Sequence, residues 1–475
     1  MVSKVFYFSK ILAFFLVVKT ELAFSQKPTS HQLAWHQQEF YIFVHFGPNT
    51  FTNVEWGDGK EPTDIFNPTD LDCRQWCRIA KASGAKGIII TAKHHDGFCL
   101  WPSKFSTHTV AQSSWRNGRG DVLKELSDAC REFGLSFGVY ISPWDRNHPK
   151  YGTEEYNDVF VSMMNEIFDQ YGPIWELWWD GANGEGPNGK TQVYDWQRFI
   201  AFVRQKSPST VVFSDVGPDI RWVGNEKGIA GTTNWNTLDI AGFEPGLKAP
   251  STDTLQRGNI YGTSWIPAEC DVSIRPGWFY HSAEDHKVKS AETLFSLYLK
   301  SVGRGSNLLL NVPPDQRGRF HAADSLSLLG FRKLLDVNFR DDFFKNAQVE
   351  VAENDIKRQT TLLTDGNHLT YEPLHDFLNT AITLRFDRAT LINCLRIREN
   401  LQTGQQIAKA EIRMFGKDGE EVLVIPVTTI GNQRLLTFKT QRVNALSIRI
   451  LESKGIPQIS EVSAYKLAEN LLLEN

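Results

Sequence analysis

Short apolar runs alternate with longer amphipathic stretches through the first two-thirds of the chain. The runs at 41–45, 86–92, 136–141, 174–179, 211–214 and 306–312 are rich in β-branched or aromatic residues and predict strands. The stretches at 71–83, 122–133, 157–171, 196–206 and 291–302 carry apolar residues at helical spacing and predict helices. Such alternation is the signature of a parallel sheet wrapped by helices. Two further strands are expected between Arg221 and Asp271, where the loops are long. Eight strands in a stretch of this length favour a (β/α)8 barrel over an open doubly wound sheet. No GxGxxG follows the first strand, which speaks against a dinucleotide fold.

After about Phe344 the period shortens. Alternating runs at 381–386, 394–397, 410–415, 422–427, 435–438, 446–451 and 462–465, divided by turn signals such as Gly416-Lys417-Asp418-Gly419, predict an antiparallel β-sandwich. Tryptophan usage divides the chain in the same place, since all 14 Trp lie at or before Trp278. The expected units are therefore a barrel over 26–346 and a sandwich over 347–475. The sandwich either braces the barrel or binds carbohydrate, and both remain open at this point.

The first residues carry a different pattern. Lys4 and Lys10, an apolar run at 11–18 and the small residues of Ala23-Phe24-Ser25 predict a cleaved export signal over 1–25, hence a periplasmic or secreted protein. The run falls well short of the ~20 residues that span a bilayer, and no Cys marks a lipid-anchor site, so no membrane anchor is expected. The six cysteines show no zinc-type CxxC pairing. Buried free thiols are expected, with a disulfide as the alternative in an exported chain.

Composition then narrows the chemistry. The 475 residues are 41% hydrophobic and 22% charged, a globular balance, and a net charge of -4 offers no basic field for nucleic acid. In a barrel of this kind the chemistry collects at the C-terminal strand ends. Those ends carry His45-Phe46-Gly47 with Glu55-Trp56-Gly57 in the following loop, Lys93-His94-His95-Asp96-Gly97-Phe98, Tyr140-Ile141-Ser142-Pro143-Trp144-Asp145, and Trp178-Trp179-Asp180-Gly181. Aromatic rings beside a carboxylate suit a sugar, whose apolar face stacks while the carboxylate works at the anomeric carbon. Asp180 on its own reads equally as a helix cap. His94 and His95, being adjacent, face opposite ways on a regular strand, and both reach a ligand only if the strand end twists. A metal is not expected, because neither HxH nor HExxH spacing is present.

These motifs, together with Arg275-Pro276-Gly277-Trp278-Phe279-Tyr280-His281 and Leu308-Leu309-Leu310-Asn311-Val312-Pro313-Pro314, closely resemble the α-L-fucosidases of glycoside hydrolase family 29. The resemblance implies an exo-acting retaining glycosidase with no cofactor, acting on a fucosylated oligosaccharide or glycoconjugate. It implies Asp180 as nucleophile and His45, Glu55, Trp56, His94, His95, Tyr140 and Trp178 as the lining of the fucose pocket. Glu226, in Arg221-Trp222-Val223-Gly224-Asn225-Glu226, is similar to the acid/base loop of the branch acting on α-1,3 and α-1,4 linkages, and Glu269 is the alternative acid/base. Trp222, Trp235 and Trp278 are candidate stacking surfaces for sugars beyond the cleavage point. The residues 396–406 resemble a discoidin-type sandwich. A competing function from another class is a carbohydrate-binding protein on a degenerate barrel, with Asp180 kept for packing.

Overall fold

The computed structural model describes residues 26–472, so the export signal expected at 1–25 lies outside the described residues. Eight parallel strands close into a barrel in chain order: β1 (Phe40–Val44), β2 (Gly87–Lys93), β3 (Ser136–Ile141), β4 (Glu176–Trp178), β5 (Val211–Ser214), β6 (Ile220–Trp222), β7 (Ala268–Ser273) and β8 (Asn307–Asn311), with β1 pairing both β2 and β8. The six strands read from the sequence stand within two residues of their expected places. The two left unplaced, β6 and β7, fall at the edges of the 221–271 stretch.

Alternation within each strand sorts the side chains into two cores. Phe40, Ile42 and Val44 point outward into the layer shared with the helices. Tyr41 and Phe43 point inward, joining Ile89, Tyr140, Trp178, Phe213 and Leu309 inside the barrel. Strands buried on both faces read as continuous apolar runs, which is why they were visible in the sequence.

The helices begin where short acidic or hydroxyl side chains cap them. Asp72 accepts from the Gln75 amide at the start of Cys73–Ser83, Asp121 from Lys124 before Val122–Phe133, and Asp195 from Arg198 before Trp196–Lys206. The barrel departs from strict alternation once. β5 and β6 are parallel neighbours joined only by residues 215–219, where parallel strands ordinarily need a crossover of a dozen or more residues. Arg204 grips both oxygens of Asp219 at 2.7 Å, and Asp219 in turn accepts from the Val212 amide at 2.7 Å, so an ion pair to the preceding helix fixes the turn in place of a packed helix.

The C-terminal unit is an antiparallel β-sandwich with its own core, including Ile382, Leu395, Ile397, Ile412, Ile448 and Val462. Four of the short strands expected there are two long ones. Residues 381–386 and 394–397 belong to Thr380–Glu399, and residues 435–438 and 446–451 belong to Arg434–Ser453. Register shifts between Arg385 and Thr390 and between Ile392 and Cys394 bend the pair, so each strand serves both layers of the sandwich. Bulges break the alternation that a sequence reads as continuity. The two units meet through the Arg398–Glu39 ion pair at 2.8 Å and through Gln405, which accepts from the Asn236 amide at 2.9 Å. Trp235, expected as a sugar-stacking surface, is buried at this seam under Lys454. All six cysteines are buried and free, with the Cys77 and Cys130 sulfurs 3.8 Å apart.

Below the strand ends, Lys93 and Asp145 form an ion pair at 3.2 Å with both side chains almost wholly buried. Burial pushes the Asp145 carboxyl up, and the Lys93 ammonium with two backbone amides outweighs it, leaving the group lowered and ionised. Removing one member strands the other charge in the core. Lys93→Met is expected to cost roughly 3–5 kcal/mol in urea unfolding, with Lys93→Met/Asp145→Asn recovering part of it. A loss below about 1 kcal/mol would mean that water reaches the pair.

Candidate active site

The C-terminal strand ends enclose a cavity of about 150 Å³ lined by Phe43, His45, Trp56, His94, His95, Tyr140, Trp178, Asp180, Ala182, Glu226, Asp271 and Trp278. It is a space for one monosaccharide ring. Its floor is the aromatic layer of the barrel interior, in which Trp178 stacks on Phe213 at 4.0 Å and on Tyr140 at 5.3 Å. Trp56, 56% exposed, stands at the rim with its edge toward His95 and Trp144.

Asp180 follows the three-residue strand β4. It caps no helix: its Oδ1 accepts from the Ala182 amide at 2.7 Å and its Oδ2 from the Tyr140 hydroxyl at 3.0 Å. The His95 Nε2 lies 3.9 Å from Oδ2.

Hydrogen bonds behind the wall fix the state of two histidines. The Ser142 hydroxyl spends its proton on the Trp144 carbonyl at 2.8 Å, so it can only accept from His95 Nδ1, also at 2.8 Å. Likewise Asn311 donates its amide to Ser273 Oγ and to the Trp278 carbonyl, which leaves its Oδ1 to accept from His45 Nδ1 at 2.8 Å. Burial drives the His45 ring down to about 3 and the His95 ring down to about 4, while His94 is lowered well below its ordinary value, also by burial. Both His45 and His95 are thus neutral with a bare Nε2. Lone pairs on neutral imidazoles are acceptors for hydroxyl hydrogens, a polar lining suited to a polyol. The strand end does twist as the sequence required, since both His94 and His95 reach the cavity. Among the described residues no group of three or more His, Cys, Asp or Glu has metal-holding geometry.

Three expected site residues stand elsewhere. Glu55 does not line the cavity; it accepts from the Trp278 amide at 2.7 Å and the Phe279 amide at 3.3 Å and pairs with His281 at 2.6 Å, clamping the loop that carries Trp278. A Cβ at Gly277 would strike the Glu55 carboxylate, so this clamp requires glycine there. Trp222 also lies behind the wall, its indole N–H donating to Asp271 Oδ1 at 2.9 Å. Glu269 lies in the barrel interior, accepting from Tyr41 and, at 2.9 Å, from the Trp178 indole. Glu226 is the acid that reaches the cavity mouth. Burial raises its proton affinity, a hydrogen bond from Trp278 opposes the rise, and the Asp180 and Glu55 charges add to it. Asp271 is a third cavity acid that sequence reasoning missed, raised well above the carboxylate range by burial and by the Glu226 and Glu269 charges. Its position two residues after Glu269 on one strand was the available signal.

A family model described as alpha-L-fucosidase matches residues 19–339. The chain belongs to the α-L-fucosidase family. It is 41% identical to Alpha-L-fucosidase 1 of Arabidopsis thaliana over 92% of this chain and 87% of that one. Among solved structures, SpGH29 is similar at a TM-score of 0.87 and 35% identity, covering 94% of this chain and 99% of that one. A Ruminococcus gnavus GH29 fucosidase in complex with fucose is similar at 0.85 and 29%, covering 95% and 97%. The protein is accordingly a glycoside hydrolase, an α-L-fucosidase on a (β/α)8-type barrel followed by an antiparallel sandwich. Family membership sets aside the alternative of a non-catalytic binding barrel.

Tyr140 supplies one of the two donors on the Asp180 carboxylate of this fucosidase. Loss of a hydrogen bond to a charged group is worth about 1.5–3 kcal/mol. Tyr140→Phe is therefore expected to lower kcat/KM on an aryl α-L-fucoside by roughly 10- to 100-fold, with the melting temperature nearly unchanged. An unaltered rate would show that the hydroxyl does not serve Asp180 during turnover.

Proposed function

We propose that the enzyme is an exo-acting, retaining α-L-fucosidase in which Asp180 is the nucleophile and Glu226 the acid/base. The observation that carries these roles is that both carboxyl groups line a cavity for one sugar, one held by two donors and the other with raised proton affinity. In the first step Asp180 attacks the anomeric carbon, the glycosidic bond breaks, and Glu226 gives its proton to the departing oxygen. In the second, Glu226 takes a proton from water, whose oxygen attacks the same carbon and releases Asp180. His45, His94 and His95 accept from fucose hydroxyls, and Trp56, Tyr140, Trp178 and Trp278 enclose the ring. Glu226 is exposed at the mouth, which leaves its outer side open to an aglycone.

The substrate we propose is α-1,3- or α-1,4-linked fucose on an oligosaccharide or glycoconjugate, supported by the likeness of the 221–226 loop to that branch. Equal or better cleavage of α-1,2-linked fucose would contradict it. Export to the periplasm or the exterior is proposed from the pattern of residues 1–25.

Positioned general acids contribute about 10²–10⁴-fold, and an activated leaving group needs little protonation. Glu226→Ala should thus lose roughly 10²-fold or more on an oligosaccharide and far less on an aryl fucoside with a good leaving group, with Asp180→Ala disabling both. A Glu226→Ala variant equally impaired on both substrates refutes the acid assignment. The acid must hold its proton, so kcat/KM falls as pH rises through the Glu226 pKa, and a raised pKa moves that limb upward. Glu55→Gln removes one of the charges that raise it and should move the alkaline limb to lower pH; a limb that stays put, or moves up, removes Glu226 as its source.

A further inference from the structure

β7 presents two carboxyl groups to the barrel interior, Glu269 and Asp271, on the same face because they are two residues apart. Each takes one indole N–H from another strand of the barrel, Glu269 from across the interior and Asp271 from the adjacent β6. Glu269 Oε1 accepts from Trp178 Nε1 at 2.9 Å, and Asp271 Oδ1 accepts from Trp222 Nε1 at 2.9 Å. Trp178 ends β4, two residues before Asp180. Trp222 ends β6, four residues before Glu226. Neither indole has another hydrogen-bond acceptor, and a buried indole N–H is costly to leave unpaired.

We propose that β7 is the positioning strand of this site: Asp271 holds Trp222 and through it the loop carrying Glu226, while Glu269 holds Trp178 and through it the turn carrying Asp180. This rests on the roles proposed above for Asp180 and Glu226. Neither β7 residue is assigned a reacting part. The loop from Trp222 to Glu226 supports a need for such an anchor, because its tip is exposed while its root, Val223 and Gly224, is buried. Besides the indole bond, the root is held by the Val223 amide donating to the Glu269 carbonyl at 3.0 Å and by the Asn225 side-chain amide donating to the Ile229 carbonyl at 2.9 Å, neither of which fixes the Trp222 ring. Glu269 is buried among Tyr41, Trp178 and Glu176, with no path for its carboxyl to a departing oxygen at the mouth.

The two arms make opposite predictions. Loss of the Asp271 anchor displaces the proposed acid, so the damage should fall on the substrate that needs one. Asp271→Ala and Trp222→Phe, the second keeping the ring and removing only the donor, should each lower kcat/KM on a fucosylated oligosaccharide by at least tenfold more than on a fucoside with an activated phenolate leaving group. Asp271→Asn keeps an acceptor for the indole and should recover at least tenfold of the oligosaccharide rate lost in Asp271→Ala. Loss of the Glu269 anchor disturbs the proposed nucleophile, so Glu269→Met, which keeps the length of the side chain and removes the acceptor for the indole, should lower both substrates in step. Folded protein is verified for each variant by its thermal unfolding curve, and Trp222→Phe and Glu269→Met carry the test if an alanine variant does not fold.

Glu226→Ala, measured alongside, separates the outcomes. If it discriminates between the substrates but Asp271→Ala and Trp222→Phe impair both equally, Asp271 serves the sugar ring and the positioning proposal is wrong. A Glu269→Met variant impaired only on the oligosaccharide would likewise overturn it and make Glu269 the acid. If Glu226→Ala itself discriminates nothing, the fault lies in the acid assignment.

Discussion

Asp180 is held by two donors, the Tyr140 hydroxyl and the Ala182 amide, at the end of a strand only three residues long. A carboxylate aimed into a small cavity in this way constrains what surrounds it. Cationic histidines beside it would pair with it and blunt it, so burial keeps His45 and His95 neutral and a carbonyl or hydroxyl behind each ring turns the bare nitrogen to the cavity. The proposed acid, Glu226, must keep its proton, and it stands where burial and the charges of Asp180 and Glu55 favour that. A carboxyl group whose surroundings raise its proton affinity is the one suited to give a proton.

The supports of the site are distributed over the whole barrel rather than gathered in one loop. β8 supplies Asn311 to His45, β3 supplies Tyr140 to Asp180, and the loop after β1 supplies Glu55 to the Trp278 segment. Closure of the sheet is what brings these together, since β1 and β8 are the ends of the catalytic unit and neighbours in space. The buried Lys93–Asp145 pair ties the end of β2 to the loop after β3 beneath His95.

Much of this was legible in the sequence, and the parts that were not have physical reasons. Strands buried on both faces announce themselves as apolar runs, and helices capped by Asp72, Asp121 and Asp195 announce their starts. The stretch from 215 to 271 did not, because its first connection is a pinned turn where a helix is the rule and its strands are short. In the sandwich, bulges made two long strands read as four. At the site, residue type located the chemistry but not the direction of a side chain. Strand-end placement did not separate Glu226 from Glu269, and only the family resemblance of its loop put Glu226 first; the register of β7 turns Glu269 into the barrel and leaves the exposed loop to Glu226. Glu55 and Trp222 stand in the expected neighbourhood but bond the Trp278 loop and Asp271, since a carboxylate or an indole is as fit to hold a loop as to hold a sugar. Asp271 escaped notice because its one signal, the two-residue spacing from Glu269, carries weight only once both are known to lie on a single strand.

Asp180 is proposed to attack the anomeric carbon and carry the sugar, and every other role at the site depends on that step. It is tested most directly by mass spectrometry of the enzyme after reaction with a 2-fluoro fucosyl fluoride, whose activated leaving group forms the glycosyl enzyme and whose fluorine slows its hydrolysis. One fucosyl adduct per chain is expected, mapped to the peptide containing Asp180 and absent from Asp180→Ala. An adduct on another carboxyl group, or inactivation that proceeds equally in Asp180→Ala, would contradict it.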